Sequence, residues 1–132
     1  MMVITHICFS FLFSLVLNLD AFYVVIGSII PDFDYLLFTR NMHRKLLHNI
    51  FVGLIILLIA FYLHSVSLIY VFIGFITHIF LDMFTMYGVY LLWPFFNKRY
   101  KLFKRGIKNR SIYDYLFFFL SLVAIIFIKM VK

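Results

Sequence analysis

The sequence predicts an all-α, polytopic bundle of helices embedded in a membrane, with three full spans preceded by an N-terminal helical hairpin or a single long span. Three observations predict it. Apolar residues make up 66% of the chain and aromatics 22%, with a mean hydropathy of +1.09, far above soluble proteins. The apolar residues fall into four long stretches divided by polar, proline-containing or basic segments. Acid is almost absent: the chain has five aspartates and no glutamate. At 132 residues it forms a single membrane-embedded domain.

The first stretch runs from Val3 to Ile30 and stops at Pro31. Asn18-Leu19-Asp20 interrupts it, and that run suits a turn followed by an aspartate N-cap. As one continuous helix it would hold His6 about 40 Å from Asp32; as a hairpin it would bring them back together. The hairpin is the favoured reading, its second arm a half-membrane helix packed on protein. No basic residue precedes Ile4 and no small-residue cleavage site follows Leu17, so a removed signal peptide is not expected.

The second stretch runs from Leu46 to Leu63, and His64-Ser65-Val66-Ser67 turns the chain into the third, Leu68 to Trp93, closed by Pro94. The fourth is Ile112 to Val131, with Ser111 as its expected N-cap. Each of these three is long enough for a hydrocarbon core of about 30 Å at 1.5 Å per residue. Residues 1–95 form the polar-site core, 96–111 a basic loop and 112–131 the last transmembrane helix.

The net charge of +7 is concentrated. Lys98, Arg99, Lys101, Lys104, Arg105, Lys108 and Arg110 crowd one loop, and Arg40, Arg44 and Lys45 another. The positive-inside rule puts both on the cytoplasmic side of a plasma or inner membrane, where the basic loop meets anionic lipid headgroups. Nucleic acid is not an expected partner. The single Cys8 excludes an internal disulfide and a cysteine zinc site. Phe9, Phe11, Phe13 and the run Phe117 to Phe119 read as packing or lipid-facing residues, and Tyr87, Tyr90 and Trp93 as an interfacial belt.

Against this apolar background His6, Asp32, Asp34, His43, His48, His78 and Asp82 stand in or beside buried segments. Ionisable groups at membrane depth are costly and usually functional. His78 and Asp82 share one helix face at i, i+4; alone they could merely join helices. Asp32 and Asp34 form a Pro-Asp-X-Asp turn at a helix end, and His43 and His48 flank the start of the second stretch. Segment three returns His78 and Asp82 to the level of His48. Imidazole with carboxylate is a ligand set for zinc first and manganese second. Four imidazoles and three carboxylates suit one or two divalent ions with a carboxylate to spare as acid or base. Asp34 or Asp82 is the expected general base, and the Arg44 guanidinium a cation beside the site. His64, in the turn at the far end, is excluded.

These motifs resemble a known family. Thr5-His6, Gly27 to Pro31-Asp32-Phe33-Asp34, His43-Arg44-Lys45-Leu46-Leu47-His48, Gly74 to Thr77-His78-Ile79-Phe80-Leu81-Asp82, Thr85, Gly88-Val89 and Trp93-Pro94 are similar in order to the YdjM-like inner-membrane proteins, described as predicted metal-dependent hydrolases. The resemblance runs from Thr5 to Phe95. Lys45, Leu47 and Asn49 stand where relatives usually carry Gly, Thr and Ser, and the Gly usual after the first histidine is missing. It implies a remote similarity to zinc-dependent phospholipase C and P1-type nucleases, and hence a phosphoester of a lipid or lipid-linked molecule as substrate, with Arg44 facing its phosphate. Two readings from other classes stay open: a metal or proton transporter, and a metal-stabilised scaffold without turnover. The residues leave substrate and oligomeric state undetermined.

Overall fold

The computed structural model describes residues 1–34 and 44–131. Among the described residues it contains five α-helices and no strand: α1 Val3–Leu17, α2 Ala21–Ile29, α3 Ile50–Tyr62, α4 Val66–Met83 and α5 Ile112–Val131. A 3-10 turn, Ile30–Phe33, extends α2. His43 and Arg40 lie outside the described residues.

The N-terminal stretch is a hairpin. Asn18 ends α1 in the left-handed region (φ 58°), and the Leu19 amide reaches back to the Ser14 carbonyl at 2.9 Å. Asp20 then caps α2 by accepting from the Phe22 amide at 3.0 Å. The reversal lays α2 against α1 and α4, which returns Asp32 to the level of His6.

α4 and α5 are long and apolar enough to cross a membrane, while α1, α2 with its 3-10 extension, and α3 are shorter apolar helices. The third full span expected over Leu46 to Leu63 is corrected here: α3 has 13 residues, about 20 Å at 1.5 Å per residue. The reason is Asn49. Its amide donates to the Lys45 and Leu46 carbonyls at 3.0 and 2.6 Å, and its oxygen caps Val52 at 3.1 Å, so the preceding residues turn. α4 likewise stops at Met83, well before Trp93. There Thr85 Oγ1 donates to the Asp82 carbonyl at 2.7 Å, and the chain leaves the helix.

The basic segment is docked. Ile107 N to Phe84 O (2.8 Å), Met86 N to Ile107 O (3.1 Å), Leu102 N to Met83 O (2.9 Å) and the reciprocal Val89–Tyr100 pair (3.1 and 2.8 Å) clip it to the residues after α4.

The start of α5 also differs from expectation. Ser111 precedes the helix, but its hydroxyl has no partner among the described residues. Asp114 takes the linking role: its carboxylate accepts from the Arg110 amide at 3.0 Å, the Met2 amide at 3.0 Å and the Thr5 hydroxyl at 2.9 Å. Fully buried, it fastens α5 to α1. Asp114→Ala leaves three donors unpaired and is expected to cost about 3 kcal/mol. Thermal unfolding in detergent measures this, and an unchanged midpoint would refute the fastening.

The interior is polar and the exterior apolar. Among the described residues the buried set holds fourteen polar or charged side chains and eight apolar ones. The buried residues of α1 are Thr5, His6, Ser10 and Ser14, while Val3, Ile4, Val16 and Leu17 are exposed. Ser10 and Thr77 share a hydrogen bond of 2.9 Å between α1 and α4. Where lipid surrounds the bundle, apolar burial no longer drives helix association and small polar contacts take over.

Candidate metal centre

One end of the bundle gathers the ends of α2 and α4 and the starts of α1 and α3, and with them His6, Asp32, Asp34, His48, His78 and Asp82. Each arrives by a local device. Pro31, free of an amide hydrogen, opens the 3-10 turn that carries Asp32. Asn49 caps α3 directly after His48. His78 and Asp82 lie one turn apart on α4, and Gly27 and Gly74 let α2 and α4 approach until backbone meets backbone.

Hydrogen bonding fixes the histidine tautomers. His78 Nδ1 lies 2.6 Å from the Ser28 carbonyl, which can only accept, so that nitrogen carries the proton. His48 Nδ1 lies 3.0 Å from Asp34 Oδ2, and the same logic places its proton there. With Nδ1 protonated, each ring in its neutral form turns an unprotonated Nε2 inward, and the two stand 3.3 Å apart. Two nitrogens facing each other at that distance in a buried site can share a proton or a metal ion.

Carboxylate oxygens surround the pair. Asp82 Oδ2 lies 3.6 Å from His48 Nε2 and 3.9 Å from His78 Nε2; Asp32 Oδ1 lies 4.0 and 3.8 Å from the same two nitrogens. Tetrahedral zinc with bonds of about 2.0–2.1 Å separates its ligands by about 3.3–3.4 Å. The nitrogen–oxygen separations, 3.6 to 4.0 Å, are a few tenths of an ångström wider than that on both the Asp82 and the Asp32 side. Asp32 is also the open corner: its side chain is 23% exposed, against 0–2% for His48, His78 and Asp82. Asp32 Oδ2 has no partner among the described residues.

His6 adds a fifth donor. Its ring stacks on His78 with centroids 3.8 Å apart, its Nε2 lies 3.3 Å from Asp82 Oδ1, and its Nδ1 is buried without a partner among the described residues. Two overlapping ligand groups result, His6 with His78 and Asp82, and Asp32 with His48 and His78. Asp34 stands behind this layer, on His48 Nδ1 and on the Arg44 amide at 3.0 Å. There it holds the His48 ring, the place outer carboxylates commonly take behind a metal-binding histidine. His43 lies outside the described residues, and His64 sits exposed in the turn beyond α3.

Arg44 rims the site. Its guanidinium donates to Thr85 Oγ1 at 2.9 Å and the Gly88 carbonyl at 3.4 Å, lies 3.4 Å from Asp82 Oδ2, and stands over the Tyr87 ring. Lys45 and Arg99 both stand over Tyr90, and Arg99 Nε donates to its hydroxyl at 2.6 Å. The sequence reading assigned these tyrosines no chemistry; they hold cations at the rim. It also missed the Ser28 carbonyl, which no side-chain pattern could reveal, and the α-amino group of Met1, 2.9 Å from Asp82 Oδ1.

No curated protein and no solved structure matches this chain. The family described as YdjM inner membrane protein matches residues 1–131, reaching past Phe95 through the docked basic segment and α5. With its lipid-suited exterior and its polar residues turned inward, the chain belongs to the YdjM inner membrane protein family.

Proposed function

We propose that this chain is a membrane-bound metal-dependent hydrolase that cleaves a phosphoester of a lipid or lipid-linked substrate. The facing Nε2 atoms of His48 and His78, with protons fixed on the opposite nitrogens, carry the metal part of this reading. His48, His78, Asp32 and Asp82 would hold one ion, and His6 with Asp82 Oδ1 would offer donors to a second. Zinc is the first candidate and manganese the second. Such an ion supplies Lewis acidity, acidifying water and offsetting charge on a phosphoester.

The chain's own residues supply the rest. Asp34 keeps the His48 ring in its tautomer. Arg44, held by Thr85 and Gly88, presents a cation at the mouth, where it can meet phosphate oxygens. Both oxygens of Asp82 already face nitrogens, and Asp34 is engaged by His48 and the Arg44 amide. Asp32 Oδ2, partnerless among the described residues and at the open corner, is the carboxylate oxygen best placed to take a proton. The positive-inside rule puts this end of a multi-pass bundle at the cytoplasmic face.

Elemental analysis of the detergent-purified protein beside His78→Ala tests it. About one or two equivalents of metal, lost in the variant, support the site and open a phosphoester screen; no metal after reconstitution sinks it. A metal-stabilised scaffold remains the second reading, because four protein ligands alone can saturate a tetrahedral ion. Arg44→Ala separates the two: turnover falls in a hydrolase while metal content persists. A transporter is disfavoured, since the ligands sit at helix ends rather than mid-bundle.

A further inference from the structure

Away from the metal centre, the head of α5 carries a cavity of about 470 Å³ lined by Arg105, Gly106, Ile107, Lys108, Ser111 and Tyr113. Arg105 and Lys108 are exposed cations, and neither makes an ion pair with a described residue. No acid occurs between Asp82 and Asp114, and Asp114 is turned inward onto Met2 and Thr5. The Ser111 hydroxyl oxygen is buried and has no hydrogen-bond partner among the described residues. Two uncompensated cations and a spare hydroxyl thus line one concave space at the start of α5.

We propose that this cavity binds a phosphate group: Arg105 and Lys108 neutralise it, and Ser111 Oγ donates to one of its oxygens. The guanidinium fork of Arg105 suits two phosphate oxygens and Lys108 adds a point charge. Below the cavity Ile112, Leu116 and Leu120 follow one another at i, i+4 on one helix face, 77%, 51% and 57% exposed. An acyl chain can lie along that face while its headgroup phosphate occupies the cavity. A phosphate free in solution offers the same chemistry without the chain. The site is independent of the metal centre and of the hydrolase reading.

The test uses the full chain, with Arg105→Ala/Lys108→Ala against the charge-matched Lys98→Ala/Lys104→Ala. One arm reads lipid retained by native mass spectrometry from phosphatidylcholine nanodiscs containing phosphatidylglycerol. The other titrates inorganic phosphate by calorimetry in detergent. Preferential retention of phosphatidylglycerol, cut at least about tenfold in the pocket variant and less than about twofold in the control, assigns the pocket to a lipid headgroup. Inorganic phosphate binding with the same dependence assigns it to soluble phosphate. Equal losses in both variants would show a diffuse charged surface and overturn the proposal, as would no binding in either arm. Ser111→Ala, which leaves the charge intact, should weaken binding several-fold; an unchanged affinity would remove the hydroxyl from the site.

Discussion

Asp82→Ala is expected to abolish metal binding and to destabilise even the metal-free protein by about 3–5 kcal/mol. Asp82 is 1% exposed and both its oxygens are in use. Oδ1 faces His6 Nε2 and the Met1 amino group; Oδ2 faces Arg44, His48 and His78. Removing the carboxylate takes one corner from the ligand quartet and leaves the Arg44 side chain, 11% exposed, without its counter-charge. Thermal unfolding in detergent with chelator present reads the second loss, and elemental analysis the first. Asp82→Asn divides them, since it keeps the shape while removing the charge. A variant that retains metal and an unchanged midpoint would show that Asp82 is no hub.

Gly74→Ala should also destabilise the fold, through geometry alone. A Cβ at Gly74 would overlap the Val24 carbonyl, and one at Gly27 the Val71 carbonyl. In both cases the obstacle is backbone, so relief requires α2 and α4 to separate. Overpacking of a tight core typically costs about 1–3 kcal/mol. Here the separation also draws the Ser28 carbonyl from His78 Nδ1, releasing the ring whose tautomer the proposed metal site needs. Gly74→Ala and Gly27→Ala should therefore lower both unfolding midpoint and metal content. Gly53→Ala is the contrast: its new Cβ would meet the edge of the Phe75 ring at 3.0 Å, a side chain rather than backbone, which must give by only a few tenths of an ångström. If all three variants behave alike, the close crossing does not position the site.

Much of this was legible in the sequence because it depended on local chemistry. Asn18 and Asp20 announced a reversal through left-handed tolerance and capping, and the hairpin follows from them. His78 and Asp82 at i, i+4, with Asp32 after a proline, sufficed to place the polar set at one bundle end. What escaped depended on partners distant in sequence. Nothing in the sequence marks Asp114 beyond its place in the first turn of α5, and only the packing of α5 on α1 makes it a fastener. The apolar run to Trp93 read as helix, because composition does not show that Thr85 turns back on Asp82 or that Tyr100 and Ile107 pair with the residues after Met83. Leu46 to Leu63 read as a span for the same reason: hydropathy counts Leu46 and Leu47, while Asn49 decides where helix begins. The division of labour among the aspartates needed coordinates, since Asp32 and Asp34 are chemically identical and differ in exposure and in which groups each one faces.

The distribution of polarity between interior and exterior sets the terms on which this chain can vary. Its outward residues, such as Leu58, Phe61, Leu120 and Phe127, meet a solvent that asks only for apolar bulk, so one aliphatic or aromatic residue can replace another there at little cost. Its inward residues answer to fixed partners. Thr5 must reach Asp114, Ser10 must reach Thr77 and Ser28 must lie beneath His78. In a saturation mutagenesis map, tolerance should thus track hydropathy: the serines and threonines of α1 and α4 should behave as the immutable core, and the leucines and phenylalanines as the permissive surface. Substitution rules learned on water-soluble domains would rank these positions in reverse.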